Sequence, residues 1–127
     1  MDKEASGFNT KQTVAIVGLG LIGGSYARGL RRLGVDHIIA VDPDEKALQQ
    51  AKQEGMVDDI YTAGTEALKQ ADLVIFCTAA DVMIRFLAEN KAFFTPGTIL
   101  TDVAGIKGDT ATAIAALLPE GVDFVPG

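Results

Sequence analysis

Val14-Ala15-Ile16-Val17-Gly18-Leu19-Gly20-Leu21-Ile22-Gly23-Gly24-Ser25 is the stretch whose reading decides the fold. An apolar run stops at Gly18, and a helix-like pattern begins at Leu21. The three glycines Gly18, Gly20 and Gly23 stand at the G-x-G-x-x-G spacing of a dinucleotide-binding turn. Each has a mechanical task in such a turn. Gly18 lets the chain reverse off the strand, Gly20 leaves room for a pyrophosphate to approach the backbone, and Gly23 lets the helix pack close to the strand, a contact that Gly24 extends. The free N–H groups and the positive dipole end of the helix then favour phosphate, which makes the amides of Leu21 and Ile22 candidate contacts.

A glycine-rich turn without a ligand can carry the same letters, so the context decides. The motif follows a strand-like run. It precedes an amphipathic segment, Leu21 to Leu33, with Leu21, Ile22, Tyr26, Leu30 and Leu33 on its apolar side and Gly34 as its stop. A second apolar strand, His37 to Val41, ends in Asp42, about 20 residues past the motif, where a ribose-binding carboxylate is expected. All three features point to a nucleotide site.

The chain has 127 residues, which implies one domain, and 48% hydrophobic residues, enough for a real core. Its net charge of -6 argues against a nucleic-acid surface. The single cysteine, Cys77, excludes an internal disulfide and fits a reducing compartment. No apolar run approaches the roughly 20 residues of a membrane span, and no signal-peptide core opens the chain. These features together predict a soluble cytoplasmic domain without membrane or nucleic-acid partners.

Along the chain, residues 1–11 read as a loose N-terminal tail, with Phe8 packing onto a domain of residues 12–127. Gln12 to Val17 is the first strand. Arg28, Arg31 and Arg32 crowd the end of the first helix, where cations complement its dipole. His37, at a strand entrance, reads as a surface residue rather than a base. Pro43 suits a helix start, and Asp44 to Gln53 is helical with Ala47, Leu48 and Ala51 inside. Val57 to Tyr61 is a short strand and Glu66 to Gln70 a brief helix. Asp72 to Cys77 is apolar enough for a central parallel strand. Cys77 at its end reads as a small buried side chain rather than a nucleophile. Thr78 and Ala79 open the next loop, and Asp81 is positioned to cap a helix over residues 82–90. Thr98 to Val103 is a fifth strand, Lys107 to Leu118 a helix, and Val122 to Val125 a last strand.

Strands alternating with helices imply right-handed parallel crossovers, hence an α/β doubly wound (Rossmann) sheet of six strands in the order 3-2-1-4-5-6. Ligands of such sheets lie at the C-terminal strand ends. That rule collects Gly18 to Gly23, Asp42, Cys77, Thr78, Ala79 and the loop from Val103 along one edge as the cofactor-binding candidates.

At these residues the chain resembles the prephenate and arogenate dehydrogenases of tyrosine biosynthesis. The resemblance rests on Gly18-Leu19-Gly20-Leu21-Ile22-Gly23-Gly24-Ser25, on Asp72-Leu73-Val74-Ile75, and on Thr101-Asp102-Val103-Ala104-Gly105-Ile106-Lys107, with Leu117-Leu118-Pro119 and Phe124-Val125 after it. It covers Thr13 to Gly127. It implies an NAD-dependent oxidative decarboxylation of a cyclohexadienyl substrate in a homodimeric enzyme. It also implies two departures. The family serine lines up with Gly105. The family histidine falls just after the position of Gly127, so this stretch is expected to be a cofactor domain without the catalytic group and without the helical substrate domain, inactive by itself. Two other readings keep the fold: another β-hydroxyacid-type dehydrogenase or imine reductase, and a stand-alone NAD-binding sensor without chemistry. Neither a metal site nor a catalytic residue is expected within these residues.

Overall fold

A strand covered on both faces has to be apolar along its length, and Thr13–Val17 is buried from its second residue on. It forms β1, at the centre of the sheet in the computed structural model, which describes residues 12–106 and 108–127. The expected tail with Phe8, and Lys107 as the opening of the last helix, lie outside the described residues. Around β1 stand β2 (His37–Val41), β3 (Asp59–Tyr61), β4 (Leu73–Phe76), β5 (Ile99–Asp102) and β6 (Asp123–Val125). The order is β3-β2-β1-β4-β5-β6, every pair parallel, as the alternation of elements predicts. The connecting helices are α1 (Leu21–Arg32), α2 (Glu45–Gln53), α3 (Ala80–Asn90) and α4 (Gly108–Leu117), with 3-10 turns at Glu66–Gln70 and Lys91–Phe93.

Side chains alternate across the sheet, so β1 serves two cores. Val14 and Ile16 join Ile38, Ala40, Ala27, Leu30 and Leu48 on one face. Ala15 and Val17 join Ile39, Val74, Phe76, Met83, Leu87 and Leu100 on the other. Phe76 and Phe86 meet edge to face with ring centroids 5.7 Å apart.

Register then sets the functional edge. Val17 is paired with Val41 on one side and with Phe76 on the other, and Phe76 in turn with Asp102. The residues that follow these strands, Gly18, Asp42, Cys77 and Val103, therefore stand side by side at one end of the sheet.

The elements differ from the sequence reading at particular points. Most strands are shorter by a residue or two. Pro43 lies outside α2, whose N-cap is Asp44: its carboxylate accepts from the N–H groups of Lys46 and Ala47. Asp81 does not cap α3, because that helix begins at Ala80 and Asp81 sits in its first turn. The largest correction concerns α1. Gly23, Gly24, Ala27 and Leu30 face the core, whereas Leu21 is 95% exposed and Ile22, Tyr26 and Leu33 stand largely in solvent. The cause is close approach. A Cβ at Gly23 would collide with the carbonyl oxygen of Gly18. The glycine side of the helix must therefore turn inward, and the bulky residues are left on the outside.

Polar ties hold the opposite, N-terminal edge. Arg31 reaches from the end of α1 to Asp58, 2.7 Å away, and its guanidinium also donates to the carbonyl oxygens of Gly55 and Val35. His37 pairs with Asp59 at 2.6 Å and with Thr13 Oγ1 at 3.2 Å, knitting β1, β2 and β3 together. Burial pushes the Asp58 carboxyl up, but the Ile38 N–H, the Arg31 guanidinium and His37 outweigh it, and the carboxyl titrates below its ordinary 3.8. A depressed carboxyl contributes stability that is complete above the ordinary value and is lost as pH falls through the folded one. Because the pair is partly solvated, Asp58→Asn is expected to lower stability at pH 7 by only about 0.5–1 kcal/mol. The deficit should shrink in thermal melts as pH drops below 3.8; a deficit that stays constant down to acid pH would contradict this.

Candidate functional site

Gly18 leaves β1 at φ +93° and donates its N–H to the Val41 carbonyl at 2.8 Å. A side chain there would meet the Cys77 carbonyl oxygen at 2.7 Å as well as the backbone penalty of that φ. Gly20 differs: a Cβ there has no neighbour within 4 Å. No packing neighbour requires a glycine at that position; its missing side chain leaves open space above the turn. Gly20 is the N-cap of α1, with no side-chain cap and no acid in the first turn. The first amides of α1 have no intrahelical acceptor and remain available to an anion.

Asp42 follows β2 and is fixed from three sides. Its N–H donates to the Tyr61 carbonyl at 3.1 Å. Its Oδ2 accepts from the Leu19 N–H at 2.7 Å, inside the glycine turn, and its Oδ1 accepts from the Asp44 N–H at 2.8 Å. A carboxylate has roughly four lone-pair sites. The two that stay free suit a vicinal diol, and the bond to Leu19 ties that recognition to the shape of the phosphate turn.

A groove of about 560 Å³ runs along this edge. It gathers Gly18, Gly20, Asp42, Cys77, Thr78 and Ala79 from among the sequence candidates. Leu21, Ile22, Gly23 and Val103 do not line it: Leu21 and Ile22 point to solvent, Gly23 is buried beneath the turn, and Val103 packs with Cys77 against the core. The groove also has a wall the sequence reading missed, made by Thr62, Ala63 and Gly64 after β3 and by Val82, Phe86, Glu89 and Asn90 on α3. Asn90 is held by its own helix, its Nδ2 donating to the Phe86 carbonyl at 3.0 Å. Burial pushes the Cys77 thiol up to about 11, so it stays protonated at neutral pH and is no nucleophile. Among the described residues no grouping of acidic, histidine or cysteine side chains could hold a metal ion, and no helix is long and apolar enough to cross a membrane.

Beyond the groove, at the end of β5, lies Asp102, only 2% exposed. Its Oδ2 accepts from the N–H groups of Ala104, at 2.8 Å, and Ile106, at 3.2 Å. Its Oδ1 accepts from the N–H of Gly127 at 3.0 Å.

Residues 26–127 match the family model described as prephenate dehydrogenase, nucleotide-binding domain. Prephenate dehydrogenase of Bacillus subtilis (strain 168) is 30% identical over an alignment of 124 positions that covers 92% of this chain and 32% of that protein. The crystal structure of prephenate dehydrogenase from A. aeolicus in complex with hydroxyphenyl propionate and NAD+ superposes with a TM-score of 0.81 at 25% identity, covering 91% of this chain and 40% of the other. Synechocystis arogenate dehydrogenase gives 0.75 at 30% identity, with 83% and 37% covered. The chain spans about a third of the length of the curated relatives it matches.

Proposed function

Because this chain belongs to the family of prephenate dehydrogenase nucleotide-binding domains, we propose that it binds NAD across Gly20 and Asp42 and is the cofactor half of an oxidative decarboxylation of prephenate or arogenate. The observation that carries the reading is Asp42, a carboxylate locked to the Leu19 amide and facing the groove beside an open Gly20. The residues fit the cofactor: space where the pyrophosphate would lie, unpaired amides beneath it, and an acceptor for the ribose hydroxyls. Bound NAD supplies the hydride acceptor. The chain's own contribution is to hold and orient it, with Cys77, Thr78 and Ala79 as the wall facing Asp42. In this reading the substrate is a cyclohexadienyl acid, the complete enzyme is a cytoplasmic homodimer, and the group that takes the proton lies outside these 127 residues.

NAD rather than NADP is the expected cofactor. A 2′-phosphate would be set against Asp42, with Asp44 and Glu45 adding to the repulsion. Titration calorimetry with both nucleotides tests the proposal. Asp42→Asn should weaken NAD by about tenfold or more, since hydrogen bonds to a charged acceptor are the stronger class, and should narrow the preference over NADP. NADP binding as tight as NAD in the unsubstituted chain would refute it. A role as an NAD-binding sensor is the second reading, favoured by Gly105, which offers no hydroxyl beside the cofactor. Loss of prephenate- or arogenate-dependent NADH formation in cells deleted for the gene, restored by the intact gene, separates catalysis from sensing.

A further inference from the structure

Asp102 is a buried carboxylate that the proposed binding of NAD does not use. We propose that it is a positioning residue that shapes the nicotinamide end of the site, by fastening the loop after β5 and the backbone after β6 to one side chain. The inference rests on the NAD reading above.

The two oxygens divide the work. Oδ2 gathers the Ala104 and Ile106 amides, closing the loop 103–106 back onto the end of β5. Oδ1 holds the Gly127 amide, so the chain leaving β6 is drawn over the same point. A second contact supports this clasp: Thr101 Oγ1 donates to the Val125 carbonyl at 2.6 Å. A third is steric. A Cβ at Gly127 would collide with the Asp102 carbonyl oxygen, so the two backbones approach as closely as only glycine allows. Both segments lie at the C-terminal end of the half-sheet β4-β5-β6. In a doubly wound sheet that half takes the second mononucleotide, while the half carrying Asp42 takes the first. Asp102 therefore acts on the nicotinamide end and leaves the adenosine end alone.

An acceptor-only group suits three N–H donors. Asparagine has one oxygen and one NH2 group. With its oxygen toward Ala104 and Ile106 it keeps the loop, but it sets a donor against the Gly127 amide. Alanine keeps neither. The two variants thus separate the two halves of the clasp.

The test is calorimetry on the purified chain with NAD and with ADP-ribose, which lacks the nicotinamide ring, alongside amide hydrogen exchange by NMR. Asp102→Ala is expected to weaken NAD by about tenfold, the equivalent of one lost hydrogen bond, while ADP-ribose affinity stays unchanged. Asp102→Asn is expected to keep NAD affinity within about threefold, to leave the Ala104 and Ile106 amides protected, and to expose Gly127 to exchange. If Asp102→Ala does not fold, Asp102→Asn still decides: its small loss should fall on NAD and leave ADP-ribose unchanged, with Gly127 exposed to exchange. Equal losses for NAD and ADP-ribose would show a merely structural role and overturn the inference, as would an Asp102→Ala variant that binds NAD normally or an Asp102→Asn variant in which Gly127 stays protected. Failure of the unsubstituted chain to bind NAD would overturn the proposed function, and this inference with it.

Discussion

Gly20→Val leaves the domain folded and abolishes measurable NAD binding. A Cβ at Gly20 meets nothing within 4 Å, so a side chain there displaces no neighbour in the fold. The side chain enters only the space a pyrophosphate would fill. It takes from the cofactor both its approach to the first amides of α1 and the dipole behind them, a loss of at least about two orders of magnitude when several charge-assisted hydrogen bonds go together. The companion Gly18→Val is the contrast. There the φ of +93° and the Cys77 carbonyl at 2.7 Å act against the fold itself, and thermal stability is expected to collapse. Circular dichroism with calorimetry reads both. A folded Gly20→Val that still binds NAD with unchanged affinity would show that the phosphate turn is wrongly assigned.

The 127-residue chain assayed alone with NAD and prephenate or arogenate should form no NADH above background. Hydride transfer requires the donor carbon at about 3–3.5 Å from the nicotinamide, and holding it there is worth roughly 7–11 kcal/mol of the barrier. In the proposed reading the groove along Asp42 and α3 holds the nucleotide, and the substrate is held by parts of the enzyme outside these residues. General-base assistance adds about 10²–10⁴-fold, and the single histidine cannot provide it: His37 begins β2 at the edge away from the groove, already bound to Asp59 and Thr13. Gly105 supplies no hydroxyl. Purified chain and an absorbance assay for NADH decide the matter. Turnover of about 1 per second or faster would mean that these residues contain a complete active site.

How much of this was legible in the sequence follows from the range of the interactions involved. The strand order was readable because alternating strands and helices imply parallel right-handed crossovers, and the glycine turn after the first strand points to the doubly wound order that reverses beside it. The placement of Gly18, Gly20 and Asp42 along one sheet edge was readable because it is set by backbone geometry within one βαβ unit. The inward face of α1 was not. Periodicity counts bulky side chains, and here the contact that decides is the absence of one, at Gly23 against Gly18. The wall of Thr62 to Gly64 with Val82 and Phe86 was hidden because it joins segments whose only link is the pairing of strands between them. In the sequence Asp102 is only part of the fifth strand and of the family-like segment 101–107, with no task of its own. Its clasp depends on Gly127, 25 positions away.

The central place of β1 also governs how the chain acquires its structure. β1 pairs on one side with β2, soon after it in the chain, but on the other with β4, so that Val14 waits for Leu73. During synthesis the sheet β1-β2-β3 can close first, since shorter loops cost less entropy to bring together. Until β4 leaves the ribosome, the far edge of β1 is a row of unsatisfied amides and carbonyls flanked by Ala15 and Val17, the kind of surface on which chains pair with the wrong neighbour. β1 is thus the strand whose second edge waits longest for its partner, through the whole segment between Tyr61 and Leu73.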